Sequence, residues 1–135
     1  MGYQIIDIEG IGPTFTKKLK AIGVNRTDQL LERGASPKGR KTLAAESGID
    51  EGKILKWCNM ADLMRIKGVA EEYSELLEAA GVDTVKELRN RKPENLAQSL
   101  KEANAKKKLV RLVPGLKSVA KWVAEAKTLK PVITY

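Results

Sequence analysis

Hydrophobic positions in this chain recur at helical spacing. In "PTFTKKLKAIG", residues 13–23, Phe15, Leu19 and Ile22 follow at intervals of four and three, with Lys17, Lys18 and Lys20 elsewhere. That pattern is one apolar helix face, and Gly23 is the expected stop. "EEYSELLEAAG", residues 71–81, repeats the design with Tyr73, Leu76, Leu77 and Ala80. Thr27 and Thr84 stand where a hydroxyl can cap the short helices "DQLLERG" and "VKELRNR". Two more helices continue each half: "SPKGRKTLAAES" with "DEGKILKWCNMADLMR", then "PENLAQSLKEAN" with "AKKKLVRLVPGLKSVAKWVAEAK". Pro114-Gly115 should break the last of these in two. Only "YQII" and "PVITY" read as extended, a pair able to form a short terminal β-ribbon.

The pattern also repeats at long range. Shifted by 58 residues, "YQIIDIEGIGPTFTKKLKAIGVNRTDQLL" aligns without gaps on "ADLMRIKGVAEEYSELLEAAGVDTVKELR". Ile8 then meets Ile66, Gly10 meets Gly68, Phe15 meets Tyr73, Leu19 meets Leu77 and Gly23-Val24 meet Gly81-Val82. Farther on, "ILKWCNMA" resembles "VAKWVAEA" at a shift of 65, matching Trp57 with Trp122. Matched turns and apolar positions over such a period indicate a duplication. The expected fold is all-α, with units 1–65 and 66–135 packed as one compact domain, a pseudo-twofold pair.

Composition changes the picture chiefly through charge. The chain carries 25 Lys+Arg against 17 Asp+Glu, a formal +8. Residues 1–65 hold 11 against 8, residues 66–100 hold 5 against 7, and residues 101–135 hold 9 against 2. A basic C-terminal third favours an anionic partner, nucleic acid being the commonest, although a solvated, solubilising surface has the same composition. Cys58 is the one cysteine and there is no histidine. A Cys/His zinc site and a His-based triad are thereby excluded within one chain. No apolar run reaches the ~18 residues of a membrane span. "MGYQIIDIEG" shows no basic stretch followed by an apolar one, so the expectation is a cytoplasmic protein without secretory signal, cofactor or metal.

The candidate chemistry sits in "IEGIGP", residues 8–13. Gly10 and Gly12 permit a tight turn, and Pro13 suits the first turn of a helix. Free amides collecting at a helix start form an anion site. This pattern of hydrophobic-any-Gly-hydrophobic-Gly resembles the helix-hairpin-helix motif of DNA repair and recombination proteins. Over nearly its whole length the chain also resembles an uncharacterised bacterial and archaeal domain-of-unknown-function family with duplicated helix-hairpin-helix units. The likeness runs through "IEGIGPTFTKKLKAIGV", "SPKGRKTLAAESGI", "ILKWCNMADLMRIKGVAEEYSELLEAAGVDTVKELRNRKPENL" and "KWVAEAK". The motif resemblance implies that amides around Gly10, Ile11 and Gly12 contact a phosphate without reading bases.

The second hairpin departs from that pattern, with Ala70 where the second glycine belongs and Glu71, Glu72, Glu75 and Glu78 behind it. Those acids suit the helix dipole and repel a phosphate, so this hairpin is expected to be structural. A third, partial candidate is Val113-Pro114-Gly115-Leu116-Lys117. Beside the first hairpin, Lys17 and Lys18 are candidate flanks, and Lys106, Lys107, Lys108, Arg111, Lys117 and Lys121 are candidate phosphate contacts. All these cations also suit an ordinary solvated helix face. Trp57 and Trp122 could stack on bases, but their matched places favour packing, as do those of Phe15 and Tyr73. Cys58 reads as a small apolar filler. With six aromatics and no carboxylate cluster, neither a flipped-base pocket nor two-metal chemistry is expected, and Asp28 reads as a first-turn helix acid. The expected function is non-catalytic, sequence-independent binding of nucleic acid, duplex DNA first. The alternative is a protein-interaction or scaffold module, as monomer or homodimer.

Overall fold

The computed structural model describes residues 2–135, apart from the side chains of Ala70 and Glu71. Eight α-helices are present among the described residues, and no strand. Their contacts divide the chain into two units, one running through Asp62 and taking in Val132–Tyr135, the other Leu63–Pro131. The division falls three residues before the boundary expected from the repeat. More consequentially, the last four residues return to the first unit.

In the first unit a 3-10 turn, Ile5–Asp7, leads to α1 (Gly12–Ala21), α2 (Thr27–Arg33), α3 (Pro37–Ser47) and α4 (Glu51–Leu63). The helix α1 packs on the turn and on α3, and α2 also packs on α3. Ile5, Ile8, Leu19, Leu30, Leu43 and Ile54 are fully buried, each burial favourable by about 1.5–3 kcal/mol. α3 starts with the Ser36 hydroxyl accepting from the Gly39 amide (3.0 Å) and with Pro37 in its first turn. Thr27 does not cap α2 as expected. Its hydroxyl accepts from the Tyr3 amide (3.0 Å), and the Gln29 side chain accepts instead from the Asn25 and Arg26 amides (2.8 and 3.1 Å).

The second unit holds α5 (Ala70–Ala79), α6 (Val85–Leu88), α7 (Pro93–Lys107) and α8 (Leu116–Ala126). α7 packs on α5 and α8, and α6 on α8, around Ile66, Leu76, Leu77, Leu88, Leu100 and Trp122. Thr84 caps α6 as expected, its hydroxyl accepting from Glu87 N (3.3 Å). The expected break at Pro114-Gly115 is present, but "AKKK" belongs to α7 rather than to a new helix. Nothing between Ala97 and Lys107 interrupts helical backbone, and Lys108 closes α7 in the left-handed region (φ 50°). Asn104 holds that turn by donating to the Val110 carbonyl (3.0 Å) and accepting from the Val110 amide (2.9 Å).

Residues 58 apart share local geometry. Val24 donates to Leu19 O and Val82 to Leu77 O, both at 2.9 Å. Ile8 and Ile66 are buried, as are Leu30 and Leu88. Among the described residues no helix is long and apolar enough to cross a membrane.

The terminal ribbon does not form. Gln4 bridges to Arg26, and the tail is claimed by the buried Arg40. Arg40 donates to Gly34 O (2.9 Å), Ala35 O (3.2 Å) and Thr134 O (2.8 Å), with Tyr135 stacked at 5.8 Å. Thr134 N in turn donates to Ala35 O (2.7 Å). A guanidinium reaches three carbonyls with one planar fork, which a β-ribbon of four residues cannot match.

Three outcomes follow from this packing. Arg40→Met should lower unfolding free energy by about 3 kcal/mol and deprotect the Thr134 amide in hydrogen exchange. Desolvation pushes the buried Cys58 thiol from 9.0 up to about 12, with Arg40 lowering it and Asp62 adding to the rise. The native thiol should therefore stay silent to a disulfide reagent near pH 8 until denaturant is added. Because the folded value is the raised one, the stability it contributes is complete below pH 9. Chemical denaturation should show wild type losing, between pH 9 and about 12, stability that Cys58→Ala does not lose.

Candidate nucleic-acid interface

The first hairpin is built by three buried isoleucines and two left-handed glycines. Ile5, Ile8 and Ile11 point into the core. The Ile8 amide donates to Ile5 O and the Ile11 amide to Ile8 O, both at 3.2 Å. Gly10 (φ 91°) and Gly12 (φ 62°) lie in the region that L side chains rarely enter. Their amides have no protein acceptor among the described residues. Ile11 thus anchors the turn, while Gly10 and Gly12 carry its open donors.

α1 follows with Pro13 in its first turn and no acidic residue, and with Lys17 and Lys18 both exposed. Lys18 Nζ lies over the Phe15 ring at 5.8 Å from its centroid, and Phe15 packs on Trp57 at 5.1 Å. Lys18 is therefore tied to the aromatic cluster behind the hairpin, whereas Lys17 projects into solvent. Trp57 is 3 % exposed, a packed residue rather than a stacking platform.

The second hairpin keeps the backbone and changes the chemistry. Ile66 N donates to Leu63 O (3.1 Å), Val69 N donates to Ile66 O (3.2 Å), and Gly68 again has φ 91°. Tyr73 packs on Trp122 at 5.3 Å. Loss of solvent, then Glu72, pushes the Tyr73 hydroxyl above its ordinary value, and that hydroxyl donates to Leu112 O (3.3 Å). Ala70 opens α5; its side chain and that of Glu71 lie outside the described residues. The Lys67 amide is already occupied, donating to both carboxylate oxygens of Glu125 (3.2 and 3.1 Å). An anion from α8 thus sits at this hairpin, on the edge of a cleft of about 640 Å³ lined by Gly68, Tyr73 and Trp122.

Residues 9–129 match the family model described as a domain of unknown function (DUF4332). The chain belongs to that family. No curated protein and no solved structure matches it with significance. The DUF4332 match opens at Glu9, between the anchoring Ile8 and Gly10, and closes beyond α8, so it takes in Gly10, Ile11 and Gly12 and the whole second hairpin.

The remaining DUF4332 candidates lie in the second unit. Lys106 and Lys107 are exposed on the last turn of α7, Lys108 forms its left-handed end, and Arg111 is exposed in the link to α8. Lys117 and Lys121 are exposed one turn apart on α8. Gly115 has extended backbone (φ −79°) as the residue before α8, so the third candidate is a helix entry without a left-handed glycine.

Sequence reading missed two contacts here: Lys18 over Phe15, and Glu125 at the Lys67 amide. A partial signal for the second existed, since the match of "KWCNM" to "KWVAE" sets Met60 against Glu125. The buried Met60 leaves the first hairpin without such a carboxylate. Glu125→Gln should weaken the contact to Lys67, costing about 1 kcal/mol of stability. An upfield shift and faster exchange of the Lys67 amide in NMR would register the loss.

Proposed function

We propose that this protein binds nucleic acid, duplex DNA first, through the sugar-phosphate backbone, without base readout or catalysis. In this reading the two units are helix-hairpin-helix units, of which only the first meets phosphate. The observation that carries it is the exposed first hairpin, whose Gly10 and Gly12 amides are open beside an α1 that bears lysines and no acid. Open amides at a helix start suit a phosphate, and Lys17 and Lys18 add favourable charge. The second hairpin supports the same chemistry from the other side, because its amide already holds a carboxylate and α5 is acidic. Lys106, Lys107, Lys108, Arg111, Lys117 and Lys121 supply sequence-independent attraction. A second reading, a protein-interaction module, draws on Leu112 and Leu116, which are 74 % and 49 % exposed.

Fluorescence anisotropy of a labelled duplex at about 50 and 200 mM salt tests the proposal. If about four phosphates are neutralised, affinity should fall by about two decades between these salts. Gly12→Asp should weaken binding about tenfold or more by placing a carboxylate at the phosphate, and Lys106/Lys107/Lys108→Glu should weaken binding and flatten the salt slope. Circular dichroism checks that both variants are folded. Loss only in the lysine variant reduces the hairpin to architecture. No binding by wild type turns the assignment to the protein-interaction reading.

A further inference from the structure

The hairpin reading relies on backbone donors, and Trp57 adds a side-chain donor to them. Its ring is 3 % exposed and pinned against Phe15, so the indole has no room to turn away. Nε1 has no hydrogen-bond acceptor among the described residues. Yet no fully buried side-chain nitrogen or oxygen among those residues lacks a partner. Nε1 is therefore not fully enclosed by protein. It lies beneath the hairpin: a Cβ placed at Gly10 would stand 3.9 Å from Nε1, with no other atom within 4 Å. Gly10 thus lies in ordinary contact distance of the indole nitrogen, while its φ of 91° is what calls for glycine.

The arrangement recurs in the second unit. Trp122 is 4 % exposed and packs on Tyr73, and its Nε1 lies 3.4 Å from a Cβ position on Gly68. A buried indole normally finds an acceptor for its N–H, and here neither indole has one among the described residues. We propose that Trp57 Nε1–H is a direct ligand of the phosphate at the first hairpin, donating to one non-bridging oxygen while the glycine amides take another. The inference rests on the phosphate-binding reading of this hairpin and identifies its ligand as a phosphodiester, which offers two such oxygens. At the second hairpin, Glu125 sits on the adjacent Lys67 amide, the counterpart of Glu9, and sets a carboxylate against an incoming phosphate, so Trp122 is an internal reference.

The chain has two tryptophans, so ¹⁵N-labelled protein gives two indole N–H signals. Titration with a short duplex of mixed sequence should move the Trp57 signal downfield while Trp122 stays, and inorganic phosphate at the same concentration should move neither. Movement with DNA alone supports a phosphodiester over free phosphate. Trp57→Phe keeps the ring against Phe15 and removes the donor; it should weaken DNA binding about tenfold with the fold intact by circular dichroism. A still Trp57 signal, with Gly10 and Gly12 amides moving and Trp57→Phe binding like wild type, overturns the indole ligand and leaves the hairpin reading standing. Equal movement of both indoles also overturns it. If the Gly10 and Gly12 amides do not respond to DNA, the hairpin reading falls and the indole ligand with it.

Discussion

A glycine turned left-handed above the edge of a buried indole is the constraint around which each unit is arranged. Trp57 on α4 fills the space behind the first hairpin and meets Phe15 of α1. Trp122 on α8 fills the space behind the second and meets Tyr73 of α5. A large aromatic at that place ties the last long helix of the unit to the hairpin helix, since tryptophan contributes more buried area than any other side chain. It also limits what the hairpin can carry. With φ at 91°, Gly10 and Gly68 are restricted by backbone sterics, and an indole nitrogen lies in contact distance of each. What remains at the surface is backbone, which gives the hairpin its donors.

The units then diverge in what they do with those donors. α1 carries lysines and no carboxylate, and the α4 position that matches Glu125 is Met60, buried in the core. α5 carries four glutamates, and Glu125 takes the Lys67 amide. A charge-assisted bond of this kind satisfies an orphan amide without any external anion. The same backbone therefore meets an internal carboxylate, at the Lys67 amide, in one unit only.

Arg40 introduces a different divergence. Three residues after the first-turn proline of α3 stands a buried arginine, and three after that of α7 stands the buried Leu96. A fully buried guanidinium is tolerable only when its donors are used, and Gly34, Ala35 and Thr134 carbonyls use them. The four-residue tail is thus part of the first unit's interior polar network, with Tyr135 also donating to Asn59 Oδ1 (2.8 Å).

Local pattern was enough for the helices, the positive-φ stops at Gly23 and Gly81, the packed tryptophans and the buried Cys58. These depend on side-chain periodicity and on sterics within a few residues. The end of α7 was misread because Asn104 closes the turn through Val110, a bond that no propensity encodes. The cap of α2 was misread because Thr27 is taken by Tyr3, far away in sequence. At the hairpins the glycines and flanking charges were legible one residue at a time. The direction of each indole N–H, the seat of Lys18 on Phe15 and the closure of Lys67 by Glu125 were not. Each joins residues from separate helices, so it exists only once hydrophobic burial has fixed how those helices pack. By itself the sequence determined which segments are helical and where the backbone must turn; tertiary packing decided which donors remain open, because an amide is free only if no distant side chain folds back to meet it.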